Sequence, residues 1–253
     1  MSPVRVFLNG CNGRMGKVIV DMCSADNQIV IVAGADPNSA NASFPVYATA
    51  TDCVEDFDVI IDFSHLSALP GVMQLAKDRK KPLVLCTTGL TEDHKKALFE
   101  LSSEVPVFFS GNMSLGINVL IRLAKQAAAI LYPDFDIELI EAHHNQKLDA
   151  PSGTALMIAD AVNETLDHKL EYVYDRHAEL KKRDKKELGI HAIRGGGIIG
   201  EHSLLFAGPE EVLTISHSAS TRNVFARGAV AAAKFMAGKA PGLYSMTDLV
   251  AEI

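Results

Sequence analysis

The chain has 253 residues, 48% of them hydrophobic and 22% charged, with 24 Lys and Arg against 31 Asp and Glu for a formal net charge of −7. That balance fits a buried globular core and excludes a disordered chain, and the acidic excess argues against a nucleic-acid partner, whose phosphate-binding face demands surplus Lys and Arg. No apolar run reaches bilayer length and the first residues enter an apolar strand without a secretory signal, so a cytoplasmic protein with no membrane partner is expected.

Val4 to Leu8 reads as a short strand, followed by the turn Asn9-Gly-Cys-Asn-Gly-Arg-Met-Gly16 and an apolar-periodic helix from Lys17 to Ser24. A second strand spans Gln28 to Ala35 and stops at Asp36-Pro37, since proline lacks the N–H a strand needs. Further strands are expected at Val59 to Phe63, Leu83 to Cys86 and Val105 to Ser110, with helices at Ala68 to Arg79 and Glu92 to Glu104. Such alternation predicts a parallel sheet covered on both faces. Cys11, Cys23, Cys53 and Cys86 show neither CxxC spacing nor clustering with histidine, which reads as reduced thiols and no metal site.

The alternation changes after Asn112. A long Ala- and Leu-rich helix, Ile117 to Leu131, ends at Tyr132-Pro133 and leads to a strand from Asp136 to Ala142. A loop from His143 to Gly153 and a helix from Thr154 to about Leu166 follow, then strands at Ile190 to Ile193, His202 to Ala207 and Val212 to Ser218. The last helix, Asn223 to Ala237, is apolar enough to return to the first domain. The fold expected is α/β: a Rossmann-like parallel-sheet domain from residues 1–112 and 223–253, and a second α+β domain with a mixed sheet from residues 113–222. Arg176 to Glu187 holds six Lys or Arg and three acidic residues. Its mixed signs favour a solvated loop or helix face over a nucleic-acid patch.

Three motifs carry chemistry. Gly10, Gly13 and Gly16, between a strand and a helix, let a dinucleotide pyrophosphate approach backbone N–H groups, although a plain tight turn would need similar residues. Asp36 ends the next strand about 20 residues later, where a carboxylate accepts from an adenosine ribose, or merely caps the turn before Pro37. A carboxylate there repels a 2′-phosphate and Arg14 offsets this in part, so NADH is expected as the preferred cofactor, with some use of NADPH. Phe63-Ser64 at the end of the third strand and Thr87-Thr88-Gly89 after the fourth lie at the sheet's carboxyl edge, where ligands bind or ordinary loops turn.

The densest signal is Glu141-Ala-His-His-Asn-Gln-Lys-Leu-Asp-Ala-Pro-Ser-Gly-Thr-Ala155. Histidine titrates near neutrality and can give a proton, whereas lysine remains cationic and pairs with a carboxylate or developing negative charge. Ser152, Gly153 and Thr154 add hydroxyls and free N–H groups at a helix start, an anion seat. The alternative is a plain helix entry with satisfied loop histidines.

These stretches, GCNGRMG, DFS at Asp62, TTG, EAHHNQKLDAPSGTA and IRGGGIIGEHSLLFAGPEEVLTISHSASTRNVFARGAV, resemble the 4-hydroxy-tetrahydrodipicolinate reductases, formerly called dihydrodipicolinate reductases, along the whole chain. The resemblance implies a cofactor domain built from both chain ends, a central substrate domain whose sheet builds a homotetramer, and a cleft closing between them. It implies reduction of a cyclic dicarboxylate by NADH or NADPH in diaminopimelate and lysine biosynthesis. His143 is then the proton donor and Lys147 stabilises transition-state charge, while His144, Ser152, Gly153 and Thr154 hold the substrate. Gly10, Asn12, Gly13, Arg14, Met15, Gly16, Asp36, Phe63, Thr87, Gly89, Asn112 and Met113 are the expected cofactor contacts. Many relatives carry arginine after the acidic residue where this chain has Pro37. The rivals are another two-domain reductase, such as an amino-acid dehydrogenase, and a dinucleotide-sensing regulator without turnover.

Overall fold

The computed structural model describes residues 2–38, 42–178 and 180–252. The chain folds into two compact units, Met1–Leu115 with Asn223–Ile253, and Gly116–Arg222.

The first unit begins with β1 (Val4–Asn9), α1 (Arg14–Ser24), β2 (Ile29–Ala35), β3 (Val46–Tyr47), β4 (Val59–Asp62), α2 (Leu69–Arg79), β5 (Leu83–Leu85), α3 (Glu92–Ser102) and β6 (Pro106–Phe109). The second contributes α4 (Leu115–Leu131), β7 (Asp136–His143), α5 (Gly153–Thr165), β8 (Glu171–Val173), β9 (Glu187–Arg194), β10 (Glu201–Ala207) and β11 (Val212–Ser218). The chain then returns to the first unit with α6 (Asn223–Met236), β12 (Gly242–Tyr244) and α7 (Met246–Glu252).

The first unit holds a seven-stranded sheet of order β12-β6-β5-β4-β1-β2-β3 in which every pairing is parallel. Alternation along its strands sends neighbours to opposite faces. Val6, Leu8, Val59, Ile61, Val84 and Phe108 face α1 and α6, while Phe7, Ile60, Leu83, Leu85 and Val107 face α2 and α3. Each such fully buried side chain contributes roughly 1.5–3 kcal/mol of transfer free energy. The chain runs from β1 to β2 on one side and meets β4 on the other, so the crevice of a doubly wound sheet opens at the carboxyl end of β1.

The second unit holds a mixed sheet of order β11-β10-β7-β9-β8, with β10 antiparallel and β9 parallel to the central β7. Ile137, Leu139, Leu188, Ile190, Leu204 and Phe206 cover one face. Against them pack Leu120, Ala124 and Ala128 of α4 and Ala155, Ile158, Ala159 and Val162 of α5, spaced three and four apart as helix geometry requires. The α/β reading, with a parallel and a mixed sheet, holds.

The boundaries differ where glycine or ion pairing takes over from apolar pattern. α1 starts at Arg14 rather than Lys17, because Gly13 is its extended N-cap and the last glycine of the turn already lies inside the helix. β9 begins three residues earlier than expected. Its extra residue Glu187 is tied by Arg176 at 2.6 Å, and β8, a strand that no apolar run announces, pairs with this part of β9. The charged stretch is therefore only partly solvated: its lysines are exposed, but Arg183 binds Asp136 and Glu138, both at 2.9 Å, and the carbonyl of Ile137. Glu179, in the same stretch, lies outside the described residues.

Candidate active site

The first unit presents a cradle at the carboxyl edge of its sheet. Gly10 sits at φ +80°, in the left-handed region, and a Cβ there would come 2.6 Å from the Phe63 carbonyl oxygen. At Gly16 a Cβ would stand 2.2 Å from the Gly10 carbonyl oxygen. Both positions therefore require glycine, whereas at Gly13 the nearest atom is 3.2 Å away. No side chain caps the start of α1. Such a start carries about half a positive charge and offers N–H groups to an anion.

Asp36 is buried just beyond the end of β2, accepting from the N–H of Asn12 at 3.1 Å and of Asn38 at 2.9 Å. Arg14 is exposed, and Met15 and Phe63 are half-buried against the core. Thr87 donates its hydroxyl to Asp62 at 2.6 Å, and Gly89 is in the left-handed region at φ +81°. Met113 and Asn112 are buried, with the Asn112 side chain accepting from the N–H of Ser114 at 2.8 Å. A glycine turn, an uncapped helix start and a buried acid just past the next strand fit a dinucleotide.

Asp62 was not among the expected contacts, yet it ties the cradle together. Fully buried, it accepts from Asn9 at 2.7 Å, Ser64 at 2.6 Å and Thr87, so the end of β1 and the loops after β4 and β5 converge on one carboxyl. Burial pushes its pKa up, against those hydrogen bonds.

The second unit gathers a polar cluster at one end of its sheet. Register decides its membership: His202 lies opposite Glu141 on β10, and Arg194 lies opposite His143 on β9. All four share the face that carries Leu139 and Leu204, so a charged end continues an apolar core. His143 ends its strand rather than starting the loop, with Nδ1 2.6 Å from the Glu141 carboxylate. Arg194 grips both oxygens of Glu141 at 2.7 and 2.8 Å, and the N–H of Ser152 donates to it at 3.0 Å.

Ser152 caps α5, accepting from Ala155 N–H at 3.1 Å, and its hydroxyl meets His202 Nε2 at 3.3 Å. Burial, then the His143 charge, lower the His202 pKa to about 4. Burial raises the Glu141 carboxyl, but the hydrogen bonds from Arg194, His143 and Ser152 outweigh it and hold the group below the ordinary range. Gly153 is exposed and Thr154 half-buried in the first turn of the helix. His144 is half-buried at a turn closed by the Lys147 N–H at 3.1 Å. The Lys147 ammonium pairs with Asp149 at 2.8 Å, and its charge is felt at His202.

Two family models match almost the whole chain, "Dihydrodipicolinate reductase, N-terminus" over residues 4–113 and "Dihydrodipicolinate reductase, C-terminus" over residues 116–250. The chain belongs to the dihydrodipicolinate reductase family. It is 53% identical over 247 residues to the 4-hydroxy-tetrahydrodipicolinate reductase of Caldanaerobacter subterraneus subsp. tengcongensis, covering 98% of both chains. To the same-named protein of Clostridium tetani it is 49% identical, covering 96% of this chain and 95% of that one. In fold it is similar to a dipicolinate-bound dihydrodipicolinate reductase from Paenisporosarcina sp. TG-14, at a TM-score of 0.81 and 24% identity over 96% of this chain and 97% of the other.

Within this reductase, Glu141, Arg194 and His202 are the cluster members that motif reading passed over. Glu141 had a signal, since it precedes His143 by two residues on a strand and must share its face. Arg194 and His202 had none nearby, because only strand register brings them to residues more than fifty positions earlier.

Proposed function

We propose that the chain is the NAD(P)H-dependent reductase of 4-hydroxy-tetrahydrodipicolinate in diaminopimelate and lysine biosynthesis, with His143 as proton donor. The observation that carries the reading is the folding of EAHHNQKLDAPSGT into one constellation: a histidine backed by a carboxylate, a lysine on the following loop, and a helix start with an exposed glycine.

Reduced nicotinamide supplies the hydride. In this reading the first unit holds the dinucleotide, with Gly10, Asn12, Gly13, Arg14, Met15 and Gly16 around the pyrophosphate, Asp36 at the adenosine ribose, and Phe63, Thr87, Gly89, Asn112 and Met113 along the remainder. The buried Asp36 followed by Pro37 favours NADH over NADPH, because no arginine stands there to meet a 2′-phosphate. The second unit holds the cyclic dicarboxylate. Its carboxylates are received by His144, Ser152, Gly153 and Thr154, and Lys147 stabilises the charge that builds as the ring is reduced.

A homotetramer belongs to the same reading. The sheet face opposite α4 and α5 leaves Ile193 and Val212 exposed, which supports burial there by further copies. Four free cysteines support a cytoplasmic location. No helix among the described residues is long and apolar enough to cross a membrane.

The test follows NADH and NADPH consumption on the freshly made condensation product of pyruvate and aspartate semialdehyde. Both cofactors should be consumed, NADH faster. His143→Ala should lose ~10²–10⁴ in kcat with NADH affinity kept, and Lys147→Ala should also lose kcat far more than NADH affinity. No consumption with either cofactor would move the assignment to another two-domain reductase.

A further inference from the structure

We infer that Glu141 is the positioning residue for proton delivery: its buried carboxylate keeps a hydrogen on His143 Nδ1 and so reserves Nε2 for the substrate. The inference rests on the reading of His143 as the proton donor.

A neutral imidazole carries one hydrogen, and the partner of one nitrogen decides where it sits. An ionised carboxylate only accepts, so at 2.6 Å from Glu141 Oε2 the Nδ1 position must hold the hydrogen. Glu141 has reason to stay ionised. It is fully buried, yet four donors converge on it: His143, both terminal nitrogens of Arg194, and the N–H of Ser152. Arg194 never loses its proton near neutrality and is itself fixed by the carbonyls of Asp149 and Ile193, both at 2.6 Å. The carboxylate therefore can neither swing away nor give up its charge cheaply.

His143 is buried, and glycine at position 200 spares the other side of its ring further crowding. A Cβ built on Gly200 would come 3.1 Å from Nε2 and 3.5 Å from Cδ2, so glycine leaves that nitrogen uncrowded. His202 stands edge-on to the ring, with centroids 5.3 Å apart. Transfer then breaks Nε2–H and forms the new bond to hydrogen on the substrate, whose other hydrogen arrives as hydride. The imidazolium becomes a neutral ring that keeps Nδ1–H on Glu141, and the carboxylate keeps its charge throughout.

A carboxylate that merely stapled α5 to the sheet, through Ser152 and Arg194, would produce the same contacts. Imidazole nitrogen NMR on ¹⁵N-histidine-labelled enzyme separates the two. With His143 assigned by the loss of its signal in His143→Asn, the wild-type ring in alkaline buffer should be the Nδ1–H form, the minor one in free histidine. In Glu141→Gln, Arg194 claims the amide oxygen and the NH₂ faces Nδ1, so the ring should switch to Nε2–H. The same variant should lose on the order of 10² in kcat while KM and NADH affinity stay within about threefold. Glu141→Asp, which keeps the charge, should recover part of that loss.

A wild-type Nε2–H ring overturns the inference, and so does an unchanged tautomer in Glu141→Gln or a variant that loses KM and melting temperature with kcat intact. If Glu141→Gln does not fold, the wild-type spectrum decides alone. Full kcat in His143→Asn would instead sink the functional reading, whereas an inactive His143→Asn beside a wild-type Nε2–H ring removes only the role of Glu141.

Discussion

Gly228, in the middle of α6, lies so close to Met113 that a Cβ there would come 1.6 Å from the Met113 carbonyl oxygen. Alanine would ordinarily strengthen a helix by about 1 kcal/mol over glycine. Here the obstacle is backbone, which cannot rotate aside, and overpacking of this kind costs ~1–3 kcal/mol or more. Gly228→Ala should therefore lower the melting temperature by several degrees. An unchanged or higher melting temperature would mean that α6 is free to slide.

Gly10→Ala should weaken NADH binding. The left-handed conformation costs a non-glycine residue roughly 1–2 kcal/mol, about tenfold in affinity before the contact with Phe63 is counted. Gly71, where a Cβ meets nothing within 4 Å, provides the control. Fluorescence titration should show Gly71→Ala binding like wild type and Gly10→Ala at least tenfold weaker; equal affinities would dismiss the cradle.

Much of this cradle is legible from sequence because it is local: a strand, three glycines and a helix lie within twenty-odd consecutive residues. β12 is not legible. It has three residues, Gly242–Tyr244, and exists only because Pro106–Phe108 offers a parallel partner. The same holds for the two-residue β3 and for Arg194, whose meeting with Glu141 across 53 positions is a matter of register rather than composition. Arg176 and Arg183 look like solvated charge until the acids of β7 and β9 are placed beneath them.

Acid should destabilise the fold through His202. Its folded pKa is about 4, below the ordinary 6.5, because burial disfavours the charged ring. The unfolded chain therefore binds the proton more readily. The stability that depends on a neutral ring is complete above 6.5 and drains as pH falls toward and through 4. At 1.36 kcal/mol per unit the loss is about 3 kcal/mol. Urea unfolding near neutral pH and near pH 4 should show wild type losing more stability than His202→Gln, and equal losses would refute the assignment.

Asp149 holds the Lys147 ammonium at 2.8 Å, the cation that the functional reading turns toward the dicarboxylate ring. Asp149 is exposed and Lys147 half-buried, so releasing the pair matters by ~0.2–1 kcal/mol. Asp149→Asn should tighten binding of pyridine-2,6-dicarboxylate by up to about fivefold in calorimetric titration with NADH present. Weaker binding would show that Asp149 instead holds the lysine in its working place.

The return of α6 and β12 to the first sheet also bears on how the molecule is made. Val6, Leu8, Ile61 and Val84 are roofed in part by Ala226, Ala229 and Ala233, and the Pro106–Phe109 strand takes its outer neighbour from Gly242–Tyr244. During synthesis residues 116–222 emerge with their whole core already present. The amino-terminal sheet, although translated before residues 116–222, must wait on the ribosome with part of one face and one edge bare until residues 223–252 leave the tunnel, which makes it the part most in need of a chaperone.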